Sequence, residues 1–418
     1  MIHFITLKSI KNRKFTAGLC MASIALSVVL FLGVERLRKG ARDGFTNTIS
    51  KTDLIVGARS GPLNLLLYTV FHMGSPTNNI HYSTYQKLKK NPMIGWTIPI
   101  SLGDNYKGYR VVGTNEDFFK YYKYRGDESI KLKEGKPFKG IFDVVLGSQV
   151  AKELGHKLGD RIIISHGLSK NALYKHNESP FKITGILEKT STPVDRGVYV
   201  SLYGIEAIHI GWETGAPNED KLVNPETITK DDIKIAQITS FLVGAKNRIL
   251  TLRLGRYIGT YEDEPLLAII PGMALQQLWK TMGYVEQTLF LVSLCVLVVG
   301  LLGIIISLYT SINERRREMA ILRSLGAGPA SILGLLVYES GLLVFLGSLL
   351  GLSSLYGCLF AIGPFLESEF SLFIPIQLPD IKELTFLFSI LIVGFIVGFI
   401  PAFKAYKNSL QDGLTIKV

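Results

Sequence analysis

Four stretches of the chain stay apolar over lengths that suit a membrane crossing. Phe15 to Val34 is 20 residues without a charge, Gln287 to Asn313 is 27, and Leu384 to Phe403 is 20. Ser324 to Leu366 is apolar apart from Glu339. A span needs about 20 residues, and a tilted helix uses more. One long tilted helix is the simplest account of the third stretch. Ten Leu, Ile, Val or Phe residues fall in the first run. At roughly −0.3 to −0.6 kcal/mol each they favour insertion by about 3–6 kcal/mol. A cleaved signal peptide is the competing interpretation. The run is long for one, and the charged Glu35-Arg36-Leu37-Arg38-Lys39 that follows has no small-x-small cleavage site. A retained anchor is therefore expected.

Between the first and second runs the pattern changes to short mixed segments, which predicts an α/β domain. Asp143 to Gly147 is a short strand, Ser148 an N-cap, Gln149 to Leu154 a helical turn or two, and Gly155 a left-handed C-cap. Lys157 to Asp160 is a turn. Arg161–Ser165, Phe181–Leu187, Gly197–Ser201, Trp96–Leu102 and Tyr109–Val112 are predicted strands. Ser83 to Lys90 is a predicted helix. Gly272 to Glu286 is helical in pattern and enters the second span without a breaker, and the first span likewise continues past Val34. Two helices should thus rise from the membrane as a stalk. One stretch of this domain, Leu63 to Phe71, is unusually apolar but too short to span. It is either a buried helix or strand, or a surface for hydrophobic cargo or a partner built on Leu65, Leu66, Leu67, Tyr68 and Phe71.

Charge orients these elements. Lys8, Lys11, Arg13 and Lys14 precede the first span, Arg315, Arg316, Arg317 and Arg323 follow the second, and Lys404, Lys407 and Lys417 follow the fourth. The loop between the third and fourth spans carries Glu367, Glu369, Asp380 and Glu383 against Lys382. By the positive-inside rule both termini and the arginine loop are cytoplasmic, and the inserted domain is outside. The expected fold is therefore a membrane α-helical protein of four transmembrane helices with a large α/β extracytoplasmic domain between helices 1 and 2.

The expected divisions are 1–40 (N-terminal segment and first span), 41–271 (external domain), 272–312 (stalk and second span) and 313–327 (cytoplasmic loop). The remainder divides into 328–362 (third span), 363–383 (external loop) and 384–418 (fourth span and tail).

Composition agrees. Hydrophobic residues make up 47% of the 418, and mean hydropathy is +0.28. The net charge of +12 is accounted for by the membrane flanks and by a mild excess spread over the external segment. No aromatic-basic motif supports nucleic-acid binding. Cys20, Cys295 and Cys358 all lie in apolar runs, so the external segment forms no internal disulfide.

Several chemistries find no residues here. There is no G-x-x-x-x-G-K-[ST] loop for ATP, no G-x-S-x-G and no H-E-x-x-H. The histidines outside the spans lack ligand spacing, and Glu262-Asp263-Glu264 suits a solvated turn better than a cation site. A non-catalytic chain without metal or cofactor of its own is expected.

The loop after the second span reads Asn313-Glu-Arg-Arg-Arg-Glu-Met-Ala-Ile-Leu-Arg-Ser-Leu-Gly-Ala327. It resembles the signature of the MacB/FtsX/LolC-type (type VII) ABC transporter permeases. The tail from Pro401 to Leu414 is similar to that family's ending, with Ser409 and Leu410 where Asp-Pro often stands, and Val144 to Ile164 resembles a segment of its external domain. The resemblance implies a permease subunit of a bacterial inner-membrane ABC complex. Its partners would be a cytoplasmic ATPase dimer, which binds ATP and Mg, and a second permease copy. It also implies mechanotransmission, in which ATP-driven helix closure moves the external domain. A lipoprotein, lipid, peptide or similar cargo is open, as is a periplasmic adaptor or lipoprotein partner. The alternatives are a transmembrane regulator that relays ATPase state to an external enzyme or binding protein, and a passive scaffold.

The loop suits a coupling helix on physical grounds too. Met319, Ile321, Leu322 and Leu325 would dock in a groove of the ATPase. Glu314, Arg315, Arg316, Arg317, Glu318 and Arg323 would set register and face lipid headgroups, and Gly326 would end the helix. A topology anchor alone explains the arginines but not the interleaved glutamates or the apolar face.

Glu339 stands inside the third span, where an exposed charge costs roughly 2.5–3.5 kcal/mol. It should reach a polar partner near the cytoplasmic third or take a working part in conformational change. Small residues suggest close helix packing. Gly347/Gly351 and Gly394/Gly398 suit the bundle of one chain. With the resemblance placing the first two spans at the centre of a pair, Gly18, Ala22, Ala25, Gly300 and Gly303 are the candidate dimer seam.

Overall fold

A computed structural model of the chain describes residues 6, 11, 13–166, 179–211, 225, 227–314, 328–370 and 376–412. It divides into two units. One is a helical bundle of residues 1–40, 282–365 and 374–418; the other is an inserted domain of residues 41–281 with 366–373. In chain order the helices described here are α1 (Lys14–Thr48), α2 (Pro62–Phe71), α3 (Tyr82–Lys89), α4 (Asp117–Tyr121), α5 (Ser148–Leu154), α6 (Leu202–His209), α7 (Thr251–Gly259), α8 (Pro271–Glu314), α9 (Pro329–Phe370) and α10 (Ile381–Asp412).

Helices α1, α8, α9 and α10 are long and apolar enough to cross a membrane. An uninterrupted helix is the form such sequence takes in lipid, because it satisfies every backbone group internally. α9 runs past Pro364 to Phe370, where a loop was expected to begin at 363. The bundle core is organised around α1. Ala17, Cys20, Ile24, Val28 and Leu32 recur at helical spacing and are buried against Ile304 and Leu308 of α8, Leu336, Leu343 and Leu355 of α9, and Ile390 of α10.

The inserted domain is built on an 11-stranded sheet. Its main strands are β1 (Leu54–Ala58), β2 (Ile94–Tyr106), β3 (Tyr109–Thr114), β4 (Leu132–Gly135), β5 (Asp143–Leu146), β6 (Phe181–Leu187), β7 (Val198–Ser201), β8 (Ser240–Ala245) and β9 (Leu266–Ile269). They lie in the order β9-β1-β8-β2-β3-β7-β5-β6-β4. β3–β7 and β5–β6 are parallel pairs and the other neighbours in this order are antiparallel. All of β1 is buried because both faces are covered. Ile55 packs toward Leu65 and Tyr68 of α2, while Leu54 and Val56 pack toward Leu88 of α3 and Leu254 of α7.

Local expectations are met with three corrections. Gly147, in extended backbone, is the N-cap of α5, and Ser148 is its first helical residue. Arg161–Ser165 is not one strand. Residues 161–162 pair with β6 and residues 165–166 with β2, so the segment passes between two strands of the sheet. Leu63 to Phe71 is α2, started by Pro62 and closed by His72 in the left-handed region at φ 56°. Leu65, Leu66, Tyr68 and Phe71 are buried in the sheet's core, and Leu67 packs against it. This corrects the cargo-surface interpretation: ten apolar-rich residues were needed to cover one face of β1.

Candidate functional site

Among its described residues the bundle holds two ion pairs built on buried carboxylates. Glu339 of α9 is 3% exposed at its side chain and lies 3.4 Å from Arg13, just before α1. Arg13 also donates to the Ser307 carbonyl of α8 at 2.9 Å. The intramembrane acid therefore faces protein and ties the N-terminal segment to α8 and α9. Sequence placed Arg13 only among the topology charges.

The second pair lies at the opposite end of α1, where no site was predicted. Arg36 donates through Nε and Nη2 to the two carboxylate oxygens of Glu383, at 2.9 and 2.8 Å. Its remaining donors reach the Gln377 carbonyl at 2.9 Å and the Tyr356 hydroxyl at 3.0 Å, and its guanidinium lies 4.9 Å from the Tyr356 ring centroid. Tyr356 in turn donates to Gln377 O at 2.6 Å. Both side chains of the pair are under 10% exposed. Such a pair persists only when its hydrogen bonds are satisfied, and here a planar fork meets a carboxylate while a carbonyl and a phenol take the rest. The clasp joins α1, α9 and α10. Midway, Ser27 of α1 and Ser293 of α8 each donate to the other's carbonyl, at 2.9 and 3.1 Å.

Beside the clasp, α1 and α8 form a cleft of about 260 Å³. Leu30, Phe31, Val34, Leu289 and Phe290 line it, with Glu35, Arg38 and Glu286 also on its wall. It offers an apolar wall to a chain and mixed charge to a polar head.

Glycines set the helix contacts. A β-carbon at Gly351 would stand 2.8 Å from Val28 of α1, and one at Gly347 3.0 Å from Ile24. Gly394 backs on Val344, and Gly398 on Ser340 and Val337, so α9 and α10 meet through the second pair, as expected for packing within one chain. Three of the five seam candidates, Gly300, Gly303 and Ala25, face their own chain. Gly300 packs on Ser23 and Ile24, and Gly303 on Cys20, all of the same chain. The backbone of Ala25 lies against Gly351. Gly18 has nothing within 4 Å and Ala22 is exposed, so these two alone among the candidates are open to another molecule. The coupling residues Arg315 to Gly326 lie outside the described residues; Glu314 is the last residue of α8.

In the inserted domain, Asp104 is fully buried and lies 3.5 Å from His209 Nε2, while His209 Nδ1 bonds the Ile205 carbonyl at 2.7 Å. Burial opposes the imidazolium, but the Asp104 carboxylate and that carbonyl outweigh it and raise the His209 pKa. His72 is the reverse case: burial, helped by Arg110, lowers it to about 4. No group of three or more metal-ligating side chains occurs among the described residues.

A four-helix membrane bundle with a large α/β domain between its first and second helices defines a polytopic membrane protein with one inserted domain. A family model described as MacB-like periplasmic core domain matches residues 17–234, more than half of the chain, and one described as FtsX-like permease C-terminal matches residues 290–410. The chain belongs to the MacB/FtsX-type family of ABC transporter permeases. It is 22% identical over 330 residues to the macrolide export ATP-binding/permease protein MacB 1 of Yersinia pestis bv. Antiqua (strain Antiqua), covering 78% of this chain and 46% of that protein. The chain thus spans about half the length of that relative. An uncharacterised ABC transporter permease of Methanocaldococcus jannaschii is 22% identical over 364 residues, 82% of this chain and 80% of that one. Among solved structures, the periplasmic region of MacB from Actinobacillus actinomycetemcomitans aligns with a TM-score of 0.34 at 14% identity, covering 55% of this chain and 94% of that one.

Proposed function

We propose that this chain transmits force in an ABC system. A partner ATPase dimer, which binds ATP and Mg, engages the segment 313–327 on the cytoplasmic side of a bacterial inner membrane. Two permease copies pair, and closure of their helices moves the inserted domains on the outer side against a cargo. The cleft between α1 and α8 suits an amphiphile, such as a lipid, a lipoprotein acyl group or a hydrophobic peptide.

One observation carries this proposal: α1 and α8 each run without a break from the bundle into the inserted domain. At 1.5 Å per residue, their 35 and 44 residues make rods of about 50 and 65 Å. A rod conveys a displacement that a flexible linker would absorb.

The test uses two variants in the complex with its ATPase. Met319→Asp with Leu322→Asp should reduce co-purification and ATP turnover at least tenfold while membrane insertion continues. A Gly-Gly-Pro insertion after Lys280 should leave ATPase binding intact and abolish cargo movement. Unchanged turnover in the first variant removes the loop from the mechanism, and normal transport in the second removes the rods.

A further inference from the structure

The cleft between α1 and α8 carries an uneven set of charges. It straddles the ends of two apolar runs, since that of α1 stops at Val34 and that of α8 begins at Gln287. Leu30, Phe31, Val34, Leu289 and Phe290 therefore line its hydrocarbon side, and Glu35, Arg38 and Glu286 the side just beyond. Phe31 is held between two rings, stacked on Phe386 at 3.6 Å between centroids and edge-on to Phe290 at 5.8 Å. Arg38 is already committed, because its Nε and Nη2 donate to the two carboxylate oxygens of Glu35. Glu286 lies 3.7 Å from Arg38 Nη1, which is too far for a hydrogen bond. The neighbouring cations are also taken, Arg36 by Glu383 and Lys39 by Asp380. One guanidinium thus answers two carboxylates, all three side chains about a third exposed, and the charge left over is negative.

We propose that this cleft seats a bilayer phospholipid whose headgroup ends in a primary ammonium, the ethanolamine class. The ammonium donates to the Glu286 carboxylate, which Arg38 leaves without a hydrogen bond. Gln287, on the same wall, supplies an amide donor for the phosphate of that headgroup. One acyl chain lies along Leu30, Phe31 and Phe290. An anionic headgroup finds Arg38 closed by Glu35 and meets the excess negative charge. A choline headgroup carries the same cation but has no N–H to give. The cleft, at about 260 Å³, is smaller than the roughly 300–1,000 Å³ that encloses a drug-sized ligand, so it holds a headgroup and the upper part of one chain and not a multiply acylated cargo. The inference rests on the reading of the cleft as an amphiphile site and is independent of force transmission.

The experiment uses the full chain with Cys20, Cys295 and Cys358 replaced by serine, reconstituted in phosphatidylcholine nanodiscs. A fluorophore is attached at Leu26→Cys, which is exposed one turn from Leu30 on the same face of α1, with the exposed Phe360→Cys of α9 as reference. Phosphatidylethanolamine, phosphatidylglycerol and phosphatidylcholine with brominated chains are each added as a minor component. The ethanolamine lipid should quench the label at position 26 beyond that at position 360, about two- to fivefold more strongly than the other two do. Glu286→Gln should remove this preference. Arg38→Gln, which frees a second carboxylate, should keep or increase it, with an unchanged thermal midpoint as the folding control for both variants. Equal excess quenching by all three lipids would overturn the headgroup assignment and leave the amphiphile cleft standing. A preference for phosphatidylglycerol, or any preference lost in Arg38→Gln, would overturn it in favour of a phosphate site. No excess at position 26 with any lipid would sink both the headgroup assignment and the amphiphile reading.

Discussion

Arg36 and Glu383 are the residues whose loss should be felt most in the bundle. Removing one partner leaves a charge in a site that excludes water. Arg36→Leu is therefore expected to cost about 3–5 kcal/mol, whereas Arg36→Leu with Glu383→Leu should recover most of it. Thermal midpoints of the purified protein in detergent check this, and equal loss in the single and double variants would count against the clasp. In the inserted domain two histidines set opposite pH slopes. The pKa of His209 is raised in the fold, so the stability it gives is complete below about 6.5 and is lost as pH rises through its folded value. His72 is lowered to about 4, so its neutral state favours folding above about 6.5, and roughly 3 kcal/mol is lost as pH falls toward 4. All three tryptophans (Trp96, Trp212 and Trp279) fall in residues 41–281, so their emission reports on this domain alone. Asp104→Asn should flatten the alkaline limb of the stability profile. His72→Asn, which keeps a residue tolerant of positive φ, should flatten the acid limb. Neither residue was marked by sequence, because a histidine's pKa depends on neighbours supplied by other elements.

Among the elements, α9 is held by glycines on two sides, with Gly347 and Gly351 toward α1 and its Ser340 and Val344 against Gly398 and Gly394 of α10. In lipid, close approach of this kind replaces the hydrophobic effect as the source of association. Gly351→Val and Gly398→Val should each destabilise the bundle by about 1–3 kcal/mol through overpacking. Gly18→Ala, with open space around it, should change little. Thermal unfolding in detergent separates these, and a tolerated Gly398→Val would mean that α9 and α10 part more easily than their contact implies. The spacing of these glycines was visible in the sequence, but their partners were not. Gly300 and Gly303 have the same chemistry as Gly18, and only the packing of α8 on Ser23 and Cys20 distinguishes them.

For the whole molecule, the open small residues of α1 lie beside exposed Phe15, Leu19 and Leu26, and under the pairing proposed above Gly18 and Ala22 are where a second copy would pack. With Cys20, Cys295 and Cys358 replaced by serine, Ala22→Cys should give a disulfide-linked dimer on mild oxidation, and Gly394→Cys should not. The reverse pattern would leave the fold standing and move the seam. How much of this could be read beforehand follows the range of the forces involved. Span hydrophobicity, charge flanks, turn glycines and the 313–327 motif are local, so the sequence by itself determined four membrane helices, an α/β domain between the first two, and the family resemblance. The tertiary structure alone decided what depends on distant residues meeting. Arg36 reached Glu383 across 347 positions, Glu339 found Arg13, and Leu63–Phe71 proved to be a core helix and not a surface. An apolar run states that it must leave water; whether lipid, a partner or its own sheet receives it is settled by the other side of the contact, which the run does not contain.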